Sequence, residues 1–397
     1  MSILHHSQAR KGRGATFNPE GRFETQTRSE FDDGWTAAED PLPRLDTTLI
    51  PETARTIITR NDSPDISFSQ SINPYRGCEH GCIYCYARPA HAYVNLSPGL
   101  DFETKIFFKP NAAELLEHEL RKPGYHCQSI ALGTNTDPYQ PAERKLKIMR
   151  GLLEVMQRYR QPLSIVSKGA ALIERDLDIL SEMGLANLAM VAISITSLND
   201  DIKRTLEPRA AAPASRLRMI RKLSDAGVPV MVMVAPIIPF ITDAEMERIL
   251  EAAQQAGALA AGYVMLRLPW EVKDLFQDWL QTHYPQKAQH VMSLMRQLHG
   301  GEALRTTAEP ITDPENGNPE TMPEAASVQP SPYRKNEYYS AQWGLRQRGS
   351  GPYADLIEQR FRLACKKFSL NRWHALKLDT TQFRLPPAAG DQLGLGF

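Results

Sequence analysis

The chain has 397 residues, enough for one large domain with additions or for two domains. Hydrophobic residues make up 42% of it, and 46 Lys and Arg balance 46 Asp and Glu, which places it among globular proteins and excludes a surface wholly given over to nucleic-acid-binding charge, though not a local patch. Five cysteines, three of them clustered, exclude a disulfide framework.

The first 14 residues are polar and basic, without the apolar core of a signal peptide. Residues 1–62 are rich in Arg, Asp, Glu, Thr and Pro with little periodicity, and read as an N-terminal extension, part disordered and part laid across the core. The basic stretch Arg10-Lys11-Gly12-Arg13 reads most simply as a solvated tail, with nucleic-acid contact as the alternative. Residues 66–72 form the first expected strand, and the stretch that follows organises the chain: Asn73-Pro74-Tyr75-Arg76-Gly77-Cys78-Glu79-His80-Gly81-Cys82-Ile83-Tyr84-Cys85-Tyr86. Its C-x3-C-x2-C spacing lets three thiolates converge on one metal centre, and Gly77 and Gly81 let the backbone bend around it. A [4Fe–4S] cluster usually takes four thiolates, so three from one loop leave one iron open to a ligand that is not protein. A structural zinc of Cys3His type, completed by His80 or His91, is the alternative. Zinc motifs usually bring two short cysteine pairs, and here Cys127 follows alone.

Strands and helices then alternate. Strands are expected at residues 129–133, 163–166, 188–195, 230–235 and 262–266, and helices at 111–121, 146–159, 171–183, 214–226, 244–256 and 272–283. The first helix shows an apolar stripe of Ala112, Leu115, Leu116 and Leu120. Short continuous apolar strands suit a parallel sheet covered on both faces, either an open doubly wound sheet or a barrel. The strands end in polar tips: Gly133-Thr134-Asn135-Thr136-Asp137-Pro138-Tyr139, Ser167-Lys168-Gly169 and Ser194-Ile195-Thr196-Ser197. In barrels such tips carry the chemistry. The longest apolar run, residues 228–241, is broken by three prolines and is too short to span a bilayer. A cytoplasmic protein with no membrane partner is expected.

The core is placed at residues 63–283 and a C-terminal extension at 284–397. Within the extension, residues 300–332 are acidic and proline-rich and read as a linker or lid. Between Ser331 and Arg384 there are 11 Lys and Arg against 4 Asp and Glu, interleaved with Tyr333, Tyr338, Tyr339, Trp343, Phe361, Phe368, Trp373 and Phe383. A helix is expected at 354–368, with Leu356, Ile357, Phe361 and Ala364 on one face. This basic segment is a candidate for bringing DNA or RNA to the barrel mouth, the alternative being an extension that packs its aromatics on the barrel.

The three-cysteine spacing, with Tyr84 before the third cysteine and the loop placed after the first strand, resembles the signature of the radical S-adenosylmethionine (radical SAM) superfamily over residues 66–268. Residues 133–141, Gly133-Thr134-Asn135-Thr136-Asp137-Pro138-Tyr139-Gln140-Pro141, look like the branch named after spore photoproduct lyase and DNA repair photolyase-like proteins; the two extensions match no motif of that lyase. The resemblance implies an α/β fold built as a partial (β/α)6 barrel. It implies that Cys78, Cys82 and Cys85 ligate a [4Fe–4S] cluster whose fourth iron is chelated by the methionine part of S-adenosylmethionine. Tyr84 then approaches the adenine, and Thr134 and Asn135 accept from the methionine ammonium. Lys168 pairs with the carboxylate, Ser194 and Thr196 reach the ribose or the carboxylate, and Arg209 is a second carboxylate partner. Residues 234–239 pack on the adenine or simply build the core. The chemistry implied is one-electron cleavage of the cofactor to methionine and a 5′-deoxyadenosyl radical that abstracts hydrogen, fed by a low-potential donor of flavodoxin or ferredoxin type. Cys127, ahead of the second strand, is expected at the far end of the barrel in a structural role, and Cys365 in the core of the C-terminal helix. The leading substrate is a nucleic-acid lesion or modified base. A protein or small-molecule substrate is the second reading, and a non-catalytic iron–sulfur or zinc module the third.

Overall fold

Residues 11–23, 45–300 and 337–387 are described by the structure, a computed structural model. Ten strands follow in chain order: β1 (Thr48–Pro51), β2 (Ile58–Arg60), β3 (Gln70–Ile72), β4 (Tyr75–Arg76), β5 (Lys105–Phe108), β6 (Ile130–Leu132), β7 (Leu163–Ser167), β8 (Ala189–Ser194), β9 (Val230–Ile237) and β10 (Ala260–Met265). Seven of them make one sheet in the order β10-β9-β8-β7-β6-β3-β2. Its neighbours are parallel throughout, except that β2 runs antiparallel to β3 at the edge. The six parallel strands are the six expected from the apolar runs, and they form a partial (β/α)6 barrel. In β8, Val191 and Ile193 point to the helices, while Ala192 faces the interior with Met231 of β9.

The helices follow their apolar stripes. In Ile148–Tyr159, Met149, Leu152, Leu153 and Met156 are fully buried, and Arg160 ends the helix in the left-handed region at φ +50°. The helix expected at 171–183 is broken in two, Ala171–Arg175 and Leu177–Leu185, around buried Asp176, whose carboxylate takes both Nε and Nη2 of Arg175. A further helix, Pro285–His299, was not anticipated; Pro285 starts it and Ala288, Val291, Met292, Met295 and Leu298 supply its buried face. Nor was the small sheet β1-β5-β4, whose strands of two to four residues are too short to show an alternation. It draws part of the N-terminal extension into the fold, and β2 extends the core sheet ahead of residue 63.

The C-terminal extension packs largely on the outer wall of the barrel. Helix Pro352–Lys367 packs on the outer helix Met246–Gln255, with Arg360 forked onto Glu247 at 2.8 Å and Tyr353 donating to Asp243 at 2.7 Å. Phe361 meets Tyr263 in a tilted ring contact with centres 4.7 Å apart, and Phe383 lies between Tyr125 and Tyr159. The chain then crosses beneath the N-terminal ends of the strands. Leu376 packs with Ala192, Met231 and Ala260, and the Arg384 amide donates to the Tyr159 carbonyl. Most of the described basic segment therefore covers the outer wall and the end opposite the cysteine loop, where Phe361, Phe368 and Phe383 gain by packing on the core; Trp343 and Trp373 of the segment stay exposed. Among the described residues of the segment, 337–350 reach the other end. There the Met265 amide of β10 donates to Gln347, and Arg346 and Gly344 bind Asp65, in the β2–β3 loop, linking the two free edges of the sheet. Arg10, residues 301–332 of the linker and Tyr333 lie outside the described residues. Among the described residues no helix is long and apolar enough to cross a membrane.

Candidate active site

The cysteine loop leaves β4 at the C-terminal end of the barrel through two glycines in the left-handed region, Gly77 at φ +82° and Gly81 at φ +66°. A Cβ on Gly77 would stand 2.8 Å from the His91 ring, and one on Gly81 would stand 2.7 Å from Glu103 Oε2, so backbone angle and space both demand glycine. Under the loop lies Arg88, fully buried. It donates to the carbonyls of Cys82 (2.9 Å), Gly81 (3.2 Å), Pro98 and Gly99 (both 3.0 Å) and pairs with Glu103. Glu103 in turn accepts the amides of Gly14 (2.9 Å) and Ala15 (2.8 Å), so the N-terminal segment forms a strap behind the loop. Arg13 secures it through the Glu103 carbonyl at 2.9 Å.

Cys78 and Cys82 are buried and Cys85 is half-buried. Burial, with the neighbouring Asp137 and thiols, pushes the Cys78 thiol well up; burial and Glu207 push Cys82 up to about 12. As thiolates these groups need compensating positive charge, which bound iron supplies. Among the described residues no three His, Cys, Asp or Glu side chains are set around a single metal-ion position. His80 Nδ1 faces Asp137 at 3.3 Å and His91 Nε2 faces the Lys105 carbonyl at 3.0 Å, which leaves one nitrogen on each ring, but neither ring shares a single metal-ion position with two of the cysteines. Three separate thiols on one bent loop, with no fourth protein ligand among the described residues, is the donor set that fits a [4Fe–4S] cluster with one open iron.

Inward of the loop, four of the expected residues meet. The Tyr84 hydroxyl donates to Glu207 and lies 3.3 Å from Thr196 Oγ1. Thr196 binds Glu207 at 2.7 Å and the Ala235 carbonyl at 2.9 Å. Arg216, fully buried, pairs with the other oxygen of Glu207 and donates to the Ser194 carbonyl at 2.9 Å. Lys168 projects from the tip of β7 with its ammonium 5.7 Å from the Tyr84 ring centre. Burial opposes its charge, but Glu207 and Cys82 outweigh that and hold its pKa above the usual lysine value. Among the described residues the Lys168 ammonium donates no hydrogen bond and has no carboxylate within 4 Å. Glu207 is held down at about 2: burial would raise it, and Arg216, Lys168 and the hydroxyls of Tyr84 and Thr196 more than reverse that.

Thr134 and Asn135 stand at the neighbouring tip, where Asn73 Nδ2 donates to Thr134 Oγ1 at 3.1 Å and the Asn135 amide donates to Asn73 Oδ1 at 2.9 Å. Asp137 is more than a turn residue. Its carboxylate takes the Tyr139 amide (2.9 Å), the Ser167 hydroxyl (2.7 Å) and the Lys168 amide (2.7 Å), locking the tips of β6 and β7 together. Arg209 is not with the others: it binds Glu79 at 3.1 Å beside the cysteine loop.

Glu207, Arg216, Arg88 and Glu103 escaped the sequence reading. Arg216 left a signal, since it occupies the buried face of its helix with Met219, Ile220 and Leu223 at helical spacing. An arginine on such a stripe must find a buried acid.

Comparison with known proteins agrees with this geometry. Residues 72–253 match the model of the radical SAM superfamily. An uncharacterized protein of Mycobacterium tuberculosis (strain ATCC 25618 / H37Rv) is 36% identical over 233 residues, 58% of this chain and 68% of that protein. The chain belongs to the radical SAM superfamily. Membership marks it as an enzyme, and the cofactors of the superfamily are a [4Fe–4S] cluster and S-adenosylmethionine. An uncharacterized protein of Methanocaldococcus jannaschii is 27% identical over 174 residues, covering 44% of this radical SAM chain and 62% of its relative. A point mutant of spore photoproduct lyase shares the fold, with a TM-score of 0.50 and 14% identity over 81% of this chain and 80% of the lyase. In another mutant structure of that lyase the match covers 60% of this chain and 66% of the lyase chain.

Proposed function

We propose that the protein binds a [4Fe–4S] cluster through Cys78, Cys82 and Cys85 and cleaves S-adenosylmethionine reductively to act on a nucleic-acid lesion or modified base. The observation that carries the reading is the three-thiol loop set beside an unpaired, charged Lys168 above the Glu207–Arg216 pair. When bound, the cluster and cofactor supply one-electron cleavage of a carbon–sulfur bond and a radical able to abstract hydrogen. Lys168 offers the cation for the cofactor carboxylate, with Thr134, Asn135 and Ser194 as further contacts at the strand tips. Tyr84 and Thr196 hold their orientation through Glu207, so their part is to fix the floor of the site. Arg209 acts through Glu79 on the shape of the loop. A donor of flavodoxin or ferredoxin type supplies the electron, and a reducing cytoplasm suits five free cysteines. The nucleic-acid part rests on the resemblance of residues 133–141 to the spore photoproduct lyase branch.

The test is anaerobic reconstitution followed by reduction with dithionite and chromatography. The wild type is expected to form methionine and 5′-deoxyadenosine, and the triple variant Cys78→Ala/Cys82→Ala/Cys85→Ala is expected to form none. A wild type with its cluster intact that yields no more 5′-deoxyadenosine than the triple variant refutes the reading.

A further inference from the structure

We propose that the aromatic rim beside the cysteine loop is a stacking platform for single-stranded nucleic acid, with Arg267 as its phosphate contact; this rests on the nucleic-acid reading above and gives it a surface. Three of the exposed large side chains gather around Arg22, namely Phe23 at 50% exposure, Tyr93 at 68% and Trp270 at 40%, and a fourth, Tyr86 at 43%, stands directly after Cys85. They come from three separate parts of the chain, the N-terminal strap, the segment after the cysteines and the exit from β10. Phe23 and Tyr93 have ring centres 5.1 Å apart. The guanidinium of Arg22 lies 4.2 Å from the Trp270 ring centre and 5.2 Å from that of Tyr93, joining the rings into one surface. Trp270 is held at φ +45°, a conformation that a bulky residue rarely adopts.

The two cations of the rim differ. Arg22 is committed to Glu271 and the Pro89 carbonyl. Arg267 stacks 4.3 Å from the Tyr86 ring centre and, among the described residues, makes no hydrogen bond or ion pair. Tyr86 follows Cys85 directly, and its hydroxyl donates to the Thr134 carbonyl at the tip of β6. A base stacked at Tyr86 therefore lies next to the proposed cofactor, and Arg267 is free to take the adjoining phosphate. Exposed planar rings interleaved with guanidinium groups suit nucleobases, since every base offers a π face. An acidic protein would instead call for several uncommitted cations to steer it, and here there is one. Affinity should accordingly come from stacking, with a shallow dependence on salt.

The experiment uses the full chain, anaerobically reconstituted, and a fluorescein-labelled single-stranded DNA of ten nucleotides read by anisotropy at several salt concentrations. Tyr93→Ala/Trp270→Ala is expected to weaken binding on the order of tenfold or more. Arg267→Gln is expected to flatten the log–log salt slope by about 0.7. Iron content and melting temperature report on folding, and Tyr93→Ala alone, at the most exposed ring of the four, serves if the double variant is unstable. Variants that bind as tightly as a binding-competent wild type overturn the platform and leave the nucleic-acid reading standing. A wild type that binds no oligonucleotide below about 100 micromolar at low salt overturns both. Loss of flavodoxin affinity with oligonucleotide binding unchanged makes the rim a protein interface and overturns the proposal.

Discussion

Replacing Arg88 by Met tests whether the cysteine loop is held from beneath. The side chain is fully buried, donates to four backbone carbonyls and pairs with Glu103, itself fully buried. Methionine fills a similar volume but returns none of these bonds. Removing one partner of a buried ion pair costs about 3–5 kcal/mol, because the other charge is left uncompensated. Glu103 keeps the amides of Gly14 and Ala15, which moderates that cost, whereas the carbonyls of Gly81 and Cys82 lose a donor and add to it. A net loss of about 4 kcal/mol is a large part of the 5–15 kcal/mol that typically holds a domain folded. Denaturant unfolding of the apo and reconstituted proteins measures the loss, and iron per chain measures the loop. Arg88→Met is expected to unfold at a clearly lower midpoint and to retain less than half of the iron. Arg88→Met/Glu103→Leu should recover part of the stability, since a buried charge no longer stands alone, without recovering the strap. If Arg88→Met stays within about 1 kcal/mol of wild type, no more than a single ordinary hydrogen bond contributes, and keeps its full iron, the loop is not held this way.

Cys78→Ala, Cys82→Ala and Cys85→Ala should each lose most of the iron, while Cys127→Ala and Cys365→Ala, whose thiols lie below the barrel and in the C-terminal helix, should keep it, as iron and sulfide analysis will show. Gly81→Ala combines a strained φ of +66° with a Cβ 2.7 Å from Glu103 and should lower the unfolding midpoint, by more than about 1 kcal/mol in stability, with loss of iron. His91 is buried neutral with its pKa lowered to about 4 by burial, against 6.5 unfolded, so its contribution is complete above pH 6.5 and is lost as pH falls through 4. The loss is up to about 3 kcal/mol, and unfolding midpoints of His91→Leu between pH 4 and 7 should show a flatter decline than wild type. Gln at Arg360, Arg362, Lys366 and Lys367 together should leave oligonucleotide affinity unchanged by anisotropy, because the helix that carries them lies on the outer wall.

The six parallel strands and the helices between them were legible in the residues, because burial on both faces writes continuous apolar runs and burial on one face writes a 3.6-residue period. The three-cysteine loop was legible for another reason: a single turn brings together in space what is close in sequence, so the spacing of Cys78, Cys82 and Cys85 already sets their proximity. Lys168, Ser194 and Thr196 could be placed at strand tips by counting strands. Their partners could not. Glu207 reaches Tyr84 across 123 positions and Gly14 reaches Glu103 across 89, and a carboxylate carries no sequence mark of which distant donor it will meet. The basic C-terminal segment shows the same limit, since its charge and aromatics admit both a nucleic-acid arm and a packed cover. The pattern and spacing of residues thus determined the class of chain, the succession of its strands and its three-cysteine loop. The tertiary structure decided which acids answer Arg88 and Arg216, which end of the barrel the C-terminal segment covers, and which aromatics remain at the surface, because pairing and burial depend on the distance between residues in space.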